Sequence, residues 1–265
     1  MDLDSFFENL AEFEYSDLFE NINNIWDPLI NLEDAIIRKS SSLKLKDNLL
    51  HQLDGVTTKN FVARNGEYQE HCLLVNEWVE TTDPVYLKSA KIFIDKGTLL
   101  EPTAIIKGPA IISTHCDIRQ GAYIRGNAVI GSHSVIGHCT ELKNSIIMNH
   151  TEAGHFNYIG DSILGSFVNL GAGSKLANLQ LRTVREKRNG IIYPIKLNLE
   201  QENRINTGMG KLGAVLGDFV EVGCNTVISP GTFIGKRCWA FPSLTVAKGF
   251  YKPDKIINSK TLQTD

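Results

Sequence analysis

From Ile94 onward an aliphatic residue recurs at every sixth position, through Leu100, Ile106, Ile112, Ile118, Ile124, Ile130, Ile136, Leu142 and Met148. Four residues after each of the first eight stands a small one: Thr98, Ala104, Ala110, Cys116, Ala122, Ala128, Ser134 and Thr140. A helical period of 3.6 cannot hold a six-residue stripe on one face, whereas short strands with a turn every six residues can. The pattern predicts a mainly β fold, a parallel β-helix of hexapeptide repeats with three repeats per coil if the prism is triangular. The frame then slips by four residues and resumes at Tyr158, Leu164, Leu170 and Leu176. It breaks again and resumes at Leu216, Val222, Ile228, Ile234, Ala240 and Val246. Insertions in repeat folds collect on one face and carry binding surfaces, so residues 149–157 and 177–215 are expected to be ejected loops that hold the chemistry.

Before the solenoid the period differs. Phe6, Leu10 and Phe13, then Leu18, Ile22, Ile25 and Leu29, fall at three- and four-residue spacing. This predicts a pair of amphipathic α-helices, the second capped by Ser16 and ending near Pro28. Gln69 to Val75, Val85 to Leu87 and Ile92 to Ile94 read as short strands leading into the main body. The expected division is a helical and mixed segment over 1–90 and a β-helix over 91–265, with a hairpin inserted at about 180–210.

Composition sharpens that division. Of the 22 glycines only Gly55 and Gly66 precede residue 97, and residues 1–35 hold ten Asp or Glu and no Lys or Arg. The formal charge of −3 over 265 residues therefore averages an acidic head and a body with 27 basic against 20 acidic residues. Such a balance does not favour nucleic acid or anionic lipid as a partner. No apolar run is long enough to span a membrane and no leader pattern opens the chain, which makes a cytoplasmic location the expectation. The five cysteines, Cys72, Cys116, Cys139, Cys224 and Cys238, are irregularly spaced with no C-x-x-C pair, so reduced packing thiols are expected.

The candidate chemistry begins at the first slip, which reads Ala153-Gly154-His155-Phe156-Asn157-Tyr158-Ile159-Gly160-Asp161, followed by Val168-Asn169-Leu170-Gly171-Ala172-Gly173. This stretch resembles the C-terminal acetyltransferase half of the bifunctional N-acetylglucosamine-1-phosphate uridyltransferase/glucosamine-1-phosphate acetyltransferase family. Its corresponding segments carry A-G-H-x-x-Y-x-G-D and V-N-I-G-A-G. The ungapped likeness runs from about Arg125 to Asn178. It implies a left-handed parallel β-helix that forms a homotrimer with sites between neighbouring subunits, and acetyl-CoA as co-substrate with no metal required. It implies His155 as catalytic base, Arg125, Lys143, Tyr158 and Asn169 as contacts to the sugar phosphate, and Ala172, Asn178 and Cys224 near acetyl-CoA.

These residue types suit that chemistry. An amine must be neutral to attack a thioester, and a histidine of near-neutral pKa can take its proton. Arg125 and Lys143 lie 18 residues apart, one coil, so they are expected to stack about 4.8 Å apart and to hold one phosphate together. Each also has a plainer role: His155 as a surface hydrogen-bonder, the two cations as a stacked pair, Tyr158 as a core-edge ring, Asn169 and Asn178 as corner residues. Zinc at His133 and His138, with Cys139 and His115 near, is a further alternative, although His138 does not share the repeat position of His115 and His133.

The chain also departs from the family. Nothing before residue 94 resembles its glycine-rich nucleotide loop, so uridyltransferase activity is not expected. N-Y-D-G becomes Asn178-Leu179-Gln180-Leu181, and a longer insertion replaces a loop whose lysine has no clear counterpart. Cys224 replaces a serine, Pro242 an alanine, and the tail after Val246 is short. The insertion carries Arg182, Arg185, Lys187 and Arg188, and Asn189-Gly190 predicts a hairpin turn leading into a strand from Ile191 to Leu199. Its basic arm could meet CoA or sugar-nucleotide phosphates or simply be solvated. Two functions follow: N-acetylation of glucosamine 1-phosphate or a related aminosugar phosphate, or non-catalytic binding of a sugar nucleotide on a scaffold whose acidic head recruits a partner.

Overall fold

A computed structural model describes residues 2–43, 49–62, 68–198 and 204–260. Its body is a parallel β-solenoid with three faces, each a nine-stranded sheet. In chain order, face 1 starts its parallel rungs at Ile92–Ile94, face 2 at Leu99–Leu100 and face 3 at Ile105–Lys107. Ile94 pairs in register with Ile112, Leu100 with Ile118 and Ile106 with Ile124. Three six-residue repeats thus close one coil, and the aliphatic stripe points into a dry axial core. The small residues of the second stripe are buried at the corners, where the Thr98, Ser134 and Thr140 hydroxyls donate to the carbonyls of Ser113, Met148 and Ala153 at 2.8–3.0 Å. Only a small side chain fits there, and a polar one must find a backbone partner.

The frame shift has a different cause from the one expected. Ile130 pairs with Ile147 and Leu142 with Ile159, so these coils are one residue shorter and no loop is ejected over 149–157. Glu152–His155 is instead a continuous strand of face 2. Ile147 and Ile159, rather than Met148 and Tyr158, face the axis. The shortened corners turn on Asn144 and Asp161, both with positive φ, residue types that tolerate the left-handed conformation. The Asn144 amide donates to the Asp161 carboxylate at 2.9 Å, joining the two turns.

The predicted helix pair also gives way. Residues 2–31 run as four short 3₁₀ turns, Leu3–Ser5, Leu10–Glu12, Ser16–Phe19 and Asp27–Leu29, before one α-helix, Leu32–Leu43. Ser16 opens a turn without capping it, and Pro28 lies inside the last turn. The competing influence is face 1, whose outward positions Phe93, Ile111, Val129, Ile146, Ile163, Val215 and Phe233 are themselves apolar. Phe6, Phe13, Phe19, Trp26 and Leu29 pack along this flat strip, which an irregular strap follows more closely than two straight helices. The strap is fastened at its start, where the buried Asp218 carboxylate accepts from Asn9 N at 2.7 Å and Ser166 N at 2.7 Å. Burial nevertheless holds the Asp218 carboxyl above its ordinary pKa.

The expected strands before the solenoid form as Tyr68–Val75, Val85–Leu87 and Ile92–Ile94. Tyr68–Val75 pairs antiparallel with Ile105–Lys107, Val79–Glu80 with Leu99–Leu100, and Val85–Leu87 with Ile92–Ile94. Each face therefore has an antiparallel strand covering its first parallel rung, and on face 3 Val56–Val62 extends that cover. A covered edge offers no template for further pairing.

Between Leu176 on face 3 and Ala214 on face 1 the insertion leaves the solenoid. Asn189-Gly190 does not make the predicted hairpin turn; it follows a short helix, Val184–Arg188, whose Thr183 and Glu186 form a capping box. The hairpin lies further on, Lys196–Asn198 against Arg204–Asn206, and buries Ile195 and Leu197 with Phe233 on face 1. Leu199, the expected strand end, lies outside the described residues. No described helix is long and apolar enough to cross a membrane.

Candidate active site

With face 1 covered by the chain itself, faces 2 and 3 and the corner between them remain available. Arg125 ends the strand Tyr123–Arg125 and Lys143 ends Glu141–Lys143 on the next coil of face 3. Both line a groove of about 520 Å³ together with Glu33, Lys91 and Asn127. The stacked pair expected from the 18-residue spacing is thus present, and each cation has a carboxylate partner. Arg125 meets Glu141 at 2.5 Å, and Lys143 lies 3.8 Å from Asp161. The hydrogen bond to Glu141 raises the Arg125 pKa further above its ordinary value.

Tyr158 stands on the coil after Glu141, in register with it. Its hydroxyl and the Asn178 amide close over Gly160, where an added Cβ would fall 2.6 Å from either. A side chain at Gly160 would displace the ends of both. Burial first, then the charge of Glu141, holds the Tyr158 phenol above its usual pKa, so it is a neutral donor at physiological pH. The Asn178 amide donates to Asp161 at 2.5 Å. Face 3 therefore gathers Arg125, Lys143, Tyr158 and Asn178 into one polar surface, with Glu141 and Asp161 as its organising anions. Sequence reasoning missed both carboxylates. Glu141 could have been found from the coil length, since it occupies the position in register with Tyr123 and Tyr158.

His155 lies at the corner between faces 2 and 3, at the end of Glu152–His155. It is exposed, its N–H donates to Asn157 Oδ1 at 3.1 Å, and its carbonyl accepts from Gly173 N at 2.9 Å. Its ring lies 5.7 Å from that of His138, one coil away. Along the same corner Asn225 N donates to the Ala172 carbonyl at 2.9 Å, which aligns Ala172 with Cys224. The corner line His138, His155, Ala172, Cys224 thus unites the predicted base with two of the predicted cofactor positions. Gly137, Gly154, Gly171 and Gly223 precede these four residues; a Cβ at Gly137, Gly171 or Gly223 would strike the backbone of the next coil, so coil stacking demands glycine there, whereas Gly154 faces open space.

Asn169 is not on this surface. It opens the strand Asn169–Leu170 on face 2, between Glu152 and Glu221, and donates to the Glu221 carboxylate at 2.8 Å. Asn178 likewise sits at the corner between faces 3 and 1, apart from Ala172 and Cys224. The histidines of the zinc alternative also separate. His115 and His133 stack at 5.1 Å on the corner between faces 1 and 2, while His138 lies on the corner between faces 2 and 3. Among the described residues no group of three or more His, Cys, Asp or Glu side chains is placed to hold a metal ion. Of the cysteines, Cys72, Cys116 and Cys238 are buried, and burial pushes the Cys116 thiol up to about 12; Cys139 and Cys224 are exposed.

The family described as the GMPPB C-terminal domain matches residues 106–188, which include every candidate residue except Cys224. The bifunctional protein GlmU of Methanocaldococcus jannaschii is 32% identical over 145 residues, 52% of this chain and 33% of that protein. The bifunctional sugar-1-phosphate nucleotidylyltransferase/acetyltransferase of Sulfurisphaera tokodaii is 33% identical over 165 residues, 56% of this chain and 39% of that protein. This chain is homologous to these bifunctional proteins over about half its length. The chain spans only 33% and 39% of the length of these two relatives. Among solved structures, that of the polysialic acid O-acetyltransferase OatWY matches with 17% identity and a TM-score of 0.24, over 62% of this chain and 79% of that one. The fold itself is read from the chain's own strand pairing.

Proposed function

We propose that the protein is an acetyl-CoA-dependent N-acetyltransferase acting on glucosamine 1-phosphate or a related aminosugar phosphate. The observation that carries this reading is the corner line of His155, Ala172 and Cys224, which runs between a face bearing paired cations and a face bearing Asn169. In the reaction, His155 accepts a proton from the sugar ammonium and the freed amine attacks the thioester carbonyl. The C–S bond breaks, the imidazolium returns its proton to the departing CoA thiolate, and the second proton lost by the nitrogen as the amide forms passes to solvent. Arg125 and Lys143 hold the phosphate, exchanging part of their contact with Glu141 and Asp161 for it. Tyr158 donates to the sugar. The corner surface beside Ala172 and Cys224 is where an extended thioester arm lies, and Asn178, bound to Asp161 at the far edge of face 3, serves the sugar-phosphate groove instead.

The names of the relatives support sugar phosphates and acetyl groups as substrates. Asn169 and the cations occupy different faces, which suits a homotrimer in which one protomer's face 2 meets the next protomer's face 3. A thermal-shift comparison tests the reading. Acetyl-CoA should raise the melting temperature, since only a ligand of the native state stabilises it. Stabilisation by UDP-N-acetylglucosamine alone would favour the non-catalytic binder.

A further inference from the structure

Transfer of an acetyl group to a sugar ammonium moves more protons than one imidazole can hold. The ammonium carries three N–H bonds and the amide product one, so two protons leave the nitrogen. His155 takes the first and keeps it until the thiolate departs, so it is already an imidazolium when the tetrahedral adduct must shed the second. While the adduct's nitrogen stays protonated it is a good leaving group, and the adduct falls back to amine and thioester. A second base beside His155 would commit it to product.

One other imidazole stands at this corner. His138 pairs in register with His155 on adjoining rungs of face 2. Their ring centroids lie 5.7 Å apart with the planes tilted by 30°. Packing alone gives a different arrangement in this molecule: at the corner between faces 1 and 2, His115, His133 and His150 stack 4.9–5.1 Å apart with planes within 16°. Among the described residues no hydrogen bond or ion pair holds the ring of His138 or His155. The surface beside them is open, since a Cβ on Gly154 would meet nothing within 4 Å. Their separation is about two hydrogen-bond lengths, so a nitrogen lodged between the rings is in reach of both. The charged groups of the adjoining elements are engaged or displaced. Asp117 on the preceding rung is paired with Arg119 at 3.1 Å, and Glu141, across the corner on face 3, is held by Arg125. Glu152 stands at the opposite end of the His155 strand, and the exposed Cys139 follows His138 in the chain.

We propose that His138 is the second proton acceptor of the acyl transfer. After the C–N bond forms, the remaining ammonium-type proton of the adduct passes from nitrogen to the His138 imidazole. The electron pair on the adduct oxygen re-forms the carbonyl, and the C–S bond breaks with its pair going to sulfur. The His155 imidazolium protonates that thiolate, and His138 releases its proton to solvent, one per turnover. This inference rests on the acyl-transfer reading and assigns the route by which its surplus proton leaves.

The test is steady-state release of CoA from acetyl-CoA with glucosamine 1-phosphate, by the wild type, His138→Gln and His138→Phe. Both variants should lose about 100-fold in kcat, the lower end of what a positioned base contributes, with the sugar KM and the melting temperature unchanged. Added imidazole should restore the His138→Gln rate in proportion to its free-base concentration and leave the wild-type rate as it was. A structural ring would instead be replaced by phenylalanine and would not respond to a soluble base. A His138→Gln enzyme as fast as the wild type, or a loss that phenylalanine repairs and imidazole does not, would overturn the proposal while leaving the acyl-transfer reading in place. A wild type without sugar-dependent release would overturn both.

Discussion

Arg125 and Lys143 arrive at the groove already engaged, each by a carboxylate from its own or the adjoining coil. An exposed ion pair contributes little to folding, so their value lies in holding two long side chains toward one place. Lys143→Ala should therefore leave stability within about 1 kcal/mol while weakening glucosamine 1-phosphate binding by roughly tenfold or more, the scale of one charged hydrogen bond. Isothermal titration measures the second effect and chemical denaturation the first; unchanged affinity would remove Lys143 from the phosphate site. Cys224 offers a probe of the donor corner. Acetyl-CoA should slow its alkylation, followed by mass spectrometry, whereas glucosamine 1-phosphate alone should not. Equal rates with and without acetyl-CoA would place the donor elsewhere. The cations and His155 were legible as residue types at coil spacing. Their anionic partners were not, because Glu141 and Asp161 become neighbours only once coil length fixes the register.

At the scale of elements, the hexapeptide stripe predicted the solenoid well, since one inward aliphatic position per strand is what a narrow axial core demands. Where it failed, a single residue was at stake: Met148 and Tyr158 kept the six-residue count, but the corners at Asn144 and Asp161 are shorter by one. The N-terminal strap was misread for another reason. Spacing shows that Phe6, Phe13 and Leu29 are buried, and it says nothing of the flat apolar face that receives them. Trp26 packs against Phe233 there, with ring centroids 5.5 Å apart. Trp26→Ala should cost about 3–5 kcal/mol in urea denaturation. A loss below about 1 kcal/mol would show that the strap is not part of the cooperative core.

A second element was read only in part, as a repeat position shared by His115 and His133. His115, His133, His150, Phe167 and Phe219 occupy successive left-handed positions at the corner between faces 1 and 2, and their rings stack 4.6–5.1 Å apart. Burial first, then the charges of His150 and His115, holds the His133 imidazole below its ordinary pKa. The folded state thus accepts that proton at lower pH than the unfolded chain does. Stability is complete above the unfolded value of about 6.5 and is lost as pH falls from there through the depressed folded value. His133→Phe continues the aromatic stack without a titrating ring, so its melting temperature should fall less than the wild type's between neutral pH and pH about 5. An equal fall would exclude His133 as the source.

For the whole molecule, the decisive arrangement is the use of three faces. An acidic, glycine-poor strap covers face 1, which leaves face 3 with its cations, face 2 with Asn169 and its flanking glutamates, and the corner with His155 between them. The net charge of −3 describes none of this, because the cations that matter are local to one sheet. The most direct measurement of the central claim is release of free CoA thiol from acetyl-CoA in the presence of glucosamine 1-phosphate, by the wild type and by His155→Ala. The account predicts sugar-dependent release by the wild type and its loss in the variant, with the melting temperature unchanged because the His155 side chain is exposed. Equal release by the two proteins, or none by the wild type, would contradict it.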